Sequence, residues 1–77
     1  YFAEATKSII LQSDKSISTS GGDITFKAPD IILEENSKLS AGNGDITLDA
    51  HSSQNANIEI KNGVGIYGGD IKINSVS

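Results

Sequence analysis

The 77-residue chain contains no cysteine, methionine, tryptophan or arginine, and one proline, Pro29. Without cysteine there is no disulfide framework and no thiolate metal site. The single histidine, His51, excludes a multi-histidine zinc site within one chain. Six lysines face ten carboxylates, giving a net charge of −4. With no arginine and no basic stripe, a nucleic-acid partner is not expected. The longest apolar runs, Ile9-Ile10-Leu11 and Ile31-Ile32-Leu33, are far too short to cross a bilayer, so no membrane insertion is expected. No signal peptide is visible and the chain opens on Tyr1, which reads as a mature fragment or a processed subunit. So short a chain buries only a modest share of its surface. Its stability must come from sheet hydrogen bonding, from packing, or from further protein on either side.

What is present is equally lopsided. Ile, Ser, Gly, Asp and Asn dominate, a mixture of β-formers and turn-formers that favours many short strands. The order of these residues repeats. Laying 7–28 over 29–50 places Ile9, Ile10 and Leu11 on Ile31, Ile32 and Leu33. It also places Ser18 on Ser40, Gly22-Asp23-Ile24-Thr25 on Gly44-Asp45-Ile46-Thr47, and Ala28 on Ala50, nine identities in 22 positions. Ile17 falls on Leu39 and Phe26 on Leu48. A third, looser unit over 51–75 carries Gly69-Asp70-Ile71-Lys72-Ile73, 25 residues after the second copy of the word. Its additional residues are assigned to the polar stretch 51–56, ahead of Asn57-Ile58-Glu59-Ile60, and its short apolar touch to Val64 or Ile66.

Within each unit the words Asp-Ile-x-apolar alternate apolar and polar residues, the pattern of a strand with one buried face. A hairpin stack or antiparallel sandwich would also alternate, but it has no need of a 22-residue repeat. Short strands joined by Gly, Asn and Asp turns at this period predict an all-β parallel β-helix, a β-solenoid of three to four coils of about 22–25 residues. Equivalent strands then stack about 4.8 Å apart and their Ile and Leu residues form inner columns. The structural turns are assigned to Gly22, Gly44 and Gly69, within the stretches Gly21-Gly22, Gly42-Asn43-Gly44 and Gly68-Gly69, which can take positive φ. The aspartates that follow are expected to fold onto nearby backbone N–H groups. Pro29 falls between units, where a lost N–H costs least.

The stretches 20–28 (Ser-Gly-Gly-Asp-Ile-Thr-Phe-Lys-Ala) and 42–50 (Gly-Asn-Gly-Asp-Ile-Thr-Leu-Asp-Ala) resemble the repeats of filamentous-haemagglutinin-like exoproteins. These are large adhesins and contact-dependent toxins of Gram-negative bacteria secreted by the two-partner route. The resemblance spans residues 7–74. It implies a right-handed parallel β-helix, a hand also favoured generally for parallel crossovers, acting as a stalk at the bacterial cell surface or outside the cell. This chain departs from the family in its length and in its irregular third unit. The Gly-Gly-Ala-Ile and Phe-x-x-Asn words of polymorphic membrane autotransporters do not occur.

Few residues suggest chemistry. Asp23, Asp45 and Asp70 would form one column, either a cation-binding carboxylate ladder or three turn caps. The caps are preferred, because calcium needs six to eight oxygens. No resident metal or cofactor is expected. Glu34-Glu35 is an adjacent pair whose side chains would diverge on a strand and is read as a solvated turn. His51 is expected to be exposed. The stretch 63–69 lacks the lysine and following helix of a phosphate loop. Tyr67 is either an exposed contact or a cap on the core. Thr25 and Thr47 form a short polar ladder, broken where Lys72 follows. Without converging acids and bases no enzyme is expected. The expectation is a structural or adhesive stalk segment that touches protein or glycan on a host or neighbouring cell. The alternative is a small subunit that self-associates through its solenoid ends into an extracellular filament. Tyr1-Phe2-Ala3 is a candidate cap at one end, or an added strand for a neighbour. No comparable cap is seen at Val76-Ser77.

Overall fold

A computed structural model describes residues 1–76. Ser77 and the side chain of Val76, on which the expectation of no C-terminal cap falls, lie outside the described residues. Ten strands follow in order: β1 (Phe2–Glu4), β2 (Ser8–Leu11), β3 (Ser16–Ser18), β4 (Ile24–Ala28), β5 (Asp30–Leu33), β6 (Lys38–Ser40), β7 (Ile46–His51), β8 (Asn57–Ile60), β9 (Gly65–Tyr67) and β10 (Ile71–Val76). Among the described residues there is no helix.

Every third strand pairs with its predecessor, always in parallel. The three sheets have the orders β1-β4-β7-β10, β2-β5-β8 and β3-β6-β9. The chain is therefore a three-sided β-solenoid of about three turns, with β10 starting another, and the antiparallel alternative is excluded. The register follows the sequence repeat. Ile9 pairs with Ile31, Leu11 with Leu33, Ile17 with Leu39, Ile24 with Ile46, and Phe26 with Leu48. Backbone bonds continue around the corners, for example from Thr19 N–H to Ser40 O at 2.8 Å and from Ile24 N–H to Asp45 O at 2.9 Å.

The third coil is longer for two opposed reasons. β8 pairs with β5 at an offset of 27 residues (Asp30 with Asn57), whereas β10 pairs with β7 at 25 (Ile46 with Ile71). Five residues are thus added between β7 and β8, in the polar stretch the sequence pointed to. Two are then removed between β9 and β10. The repeat word alone shows only the net three. Ile66, not Val64, takes the strand position opposite Leu39.

Alternation decides what is buried. The inner side chains Ile24, Phe26, Ile31, Leu33, Leu39, Ile46 and Leu48 are all but sealed from solvent. Each contributes about 1.5–3 kcal/mol through burial. All seven lie on β4–β7, in the middle of the stack. The same columns open at the C-terminal end, where Ile60 is 43%, Ile71 45% and Ile73 48% exposed. At the other end β1 adds to the first sheet through pairs Phe2–Thr25 and Ala3–Phe26. Ala3 packs on the core, and the Tyr1 ring lies 6.2 Å from that of Phe26. Phe2 points outward and is 61% exposed. Of this candidate cap, then, Tyr1 and Ala3 cover the core and Phe2 does not. The middle residues of the two apolar runs, Ile10 and Ile32, face away from the core.

Candidate functional site

The aspartate column lies at the corner that leads into β4, β7 and β10. It consists of hydrogen bonds between coils. The N–H of Asp45 donates to Oδ1 of Asp23 at 2.8 Å, and the N–H of Asp70 donates to Oδ1 of Asp45 at 3.1 Å. The carboxylates of Asp23 and Asp45 therefore each cap the coil after their own, whereas an Asx turn would use an N–H of the same turn. A carboxylate accepting a backbone N–H in this way is a charge-assisted bond. Among the described residues no group of three or more His, Cys, Asp or Glu side chains is arranged to hold a metal ion.

The glycines at this corner serve two purposes. Gly21 and Gly42 take the positive φ expected of these stretches, whereas Gly22, Gly44 and Gly69 do not. A Cβ at Gly44 would sit 2.6 Å from the carbonyl oxygen of Gly22, and one at Gly69 would sit 2.8 Å from that of Asn43. These positions stay free of side chains because successive coils approach so closely there. Gly22 has no complete coil beneath it, and its nearest foreign atom would be 3.9 Å away. At the preceding corner, between β2 and β3 and its equivalents, Asp14, Asn36 and Gly63 take positive φ in successive coils, of 61°, 63° and 77°. Asp and Asn tolerate this region better than most residues. Gly63 is further constrained because a Cβ there would collide with the Asn36 side chain.

Glu34 and Glu35 fall in the turn between β5 and β6. Glu34 forms an ion pair with Lys61 of the next coil at 3.0 Å, and Glu59 approaches the same ammonium at 3.7 Å. The hydrogen bond and charge of Glu34, with a smaller contribution from Glu59, raise the Lys61 pKa above its ordinary value. Ser37, the buried polar residue of this turn, donates its hydroxyl to Glu34 O at 2.7 Å. His51 is exposed at the end of β7. Tyr67 is 58% exposed, and its ring lies over Gly65, where a Cβ would be 2.6 Å from Cε2. Thr25 and Thr47 are direct neighbours, followed by Lys72.

Sequence reading passed over one concave feature. An open groove of about 380 Å³ runs along the edge of the first sheet, lined by Glu4, Lys27, Asp49 and His51 with Ala5, Ala28 and Pro29. Glu4, Lys27 and Asp49 are consecutive members of one outward column. The sequence signal for it was the 22-residue offset from Lys27 to Asp49, but Glu4 lies before the first repeat unit and was not aligned. Among the described residues Lys27 is in ion-pair contact with neither carboxylate. The groove is open to solvent, so it offers exposed charges and no enclosed pocket in which acid and base converge. No helix among the described residues is long and apolar enough to cross a membrane. Compared with known proteins, the chain matches no family model, no curated protein and no solved structure.

Proposed function

We propose that the chain is a structural or adhesive stalk segment of a bacterial cell-surface or secreted exoprotein, of the filamentous-haemagglutinin-like kind, without catalysis. The observation that carries this reading is the stacking of repeated coils in one register, with Ile9 on Ile31, Ile24 on Ile46, Phe26 on Leu48 and Leu39 on Ile66. Coils that each contact only their neighbours build a rod rather than a closed globule. In such a stalk, function is reach and rigidity, and contacts with protein or glycan on a host or neighbouring cell are carried mainly by distant parts of the protein. The repeated Gly-Asp-Ile-Thr words support the family reading. The open groove supports a binding surface over an active site.

The test is localisation. Antibodies raised against the 77-residue chain are applied to intact producing cells and to their culture medium. Surface or medium labelling is the expected result. Signal that appears only after the cells are permeabilised would contradict the proposal.

A further inference from the structure

The aspartate corner carries a dipeptide with a chemistry of its own. In Asn-Gly the glycine N–H can attack the asparagine side chain, because no glycine side chain obstructs the ring that forms. Asn43-Gly44 is such a pair, and it lies in an interior coil, between the corner of Gly22 and that of Gly69. Its two reacting groups differ in access. The Asn43 residue is exposed, whereas Gly44 is buried. The N–H of Gly44 donates to Ala41 O at 2.8 Å, and Gly44 O accepts the N–H of Gly69 at 2.8 Å. The following N–H, that of Asp45, is held by the Asp23 carboxylate at 2.8 Å. The electrophile thus meets solvent while the nucleophile is tied down on both sides. We infer that Asn43 is a masked deamidation site, which reacts only when this corner opens, so that deamidated Asn43 accumulates as a record of opening.

The step needs nothing but water and base. Base removes the proton from the Gly44 N–H, and the nitrogen forms a bond to Cγ of Asn43. The Cγ–Nδ2 bond breaks, and Nδ2 leaves as ammonia with a proton taken up from solvent. The product is a five-membered succinimide. Water then opens the ring. Attack at Cγ leaves aspartate, and attack at the backbone carbonyl leaves isoaspartate, with the chain running through the side chain. While Gly44 N–H is donated to Ala41 and buried, neither its deprotonation nor its approach to Cγ is open to it. Local opening of the corner releases it. Isoaspartate lengthens the backbone beside Gly44, where even a Cβ would come within 2.6 Å of Gly22 O. A chain that has reacted should therefore close this corner less well. The inference is independent of the stalk reading, which localisation tests separately.

The experiment ages the 77-residue chain in mildly alkaline buffer, once native and once in guanidinium chloride, and follows Asn43 by peptide mass spectrometry. The other Asn-Gly pair, Asn62-Gly63, calibrates the reaction in denaturant. Native Asn43 should deamidate at least about tenfold more slowly than in denaturant, because only the minor open population reacts. Amide hydrogen exchange of the native chain should show the Gly44 N–H protected. Deamidation of Asn43 as fast in the native chain as in denaturant would overturn the inference. So would a Gly44 N–H that exchanges freely while Asn43 stays intact, because the hydrogen bond to Ala41 would then not be what holds the reaction back.

Discussion

Asp45 both donates and accepts at the corner of the solenoid. Its N–H is held by Asp23 and its carboxylate holds the N–H of Asp70. Asp45→Ala should therefore cost about 1–2 kcal/mol in urea denaturation, and Asp45→Asn, which keeps an acceptor, less than half of that. Gly44 tests the close approach of coils. Gly44→Ala places a Cβ 2.6 Å from a backbone oxygen and should destabilise by about 1–3 kcal/mol. Gly22→Ala meets nothing closer than 3.9 Å and should stay within about 0.5 kcal/mol. Equal costs in the same denaturation assay would contradict the close approach of coils as the reason for glycine at Gly44. Lys61 contributes one pH dependence. Its folded pKa is raised, first by its hydrogen bond to Glu34 and then by that residue's charge. A raised lysine stabilises fully below its unfolded pKa of about 10.4, and that contribution is lost as pH rises through the folded value. The pair is exposed, so the effect on stability is small. The direct readout is a side-chain NMR titration, in which Glu34→Gln should lower the Lys61 midpoint.

Among the elements, β7 is paired on both sides and β10 on one. Leu48→Ala in β7 should cost about 2–5 kcal/mol, because the cavity it leaves cannot collapse. Ile73→Ala in the same column is half exposed and should cost about 1 kcal/mol or less. Chemical denaturation of both variants compares the two strands directly. The elements were legible where pattern and period coincide. The Asp-Ile-x-apolar words became β4, β7 and β10, and the paired apolar runs became β2 and β5 in the register read from the sequence. Less of the corners was readable. Sequence shows that glycine and aspartate recur, but not how near one coil lies to the next. The crowding at Gly44 and the inter-coil direction of the aspartate bonds therefore became visible only in three dimensions. The groove went unread for a related reason, since Glu4 joins its column through β1, which lies outside the repeat. In the third coil, an insertion and a deletion partly cancelled in the spacing of the repeat words.

For the whole molecule, stability is the sum of coil-on-coil contacts, not of one central core. The fully buried side chains sit in the middle coils, and both ends are less well covered. Adding coils should stabilise the chain even though no existing residue changes, because each new interior coil buries another set of inner residues. The direct measurement is thermal and urea unfolding of a variant in which the coil 29–50 is duplicated immediately after Ala50. A stack of interchangeable coils predicts a folded chain with a higher melting temperature and a larger urea m-value, since more surface is buried. An unfolded or less stable product would contradict it, because the 22-residue coil would then not be a self-compatible stacking unit.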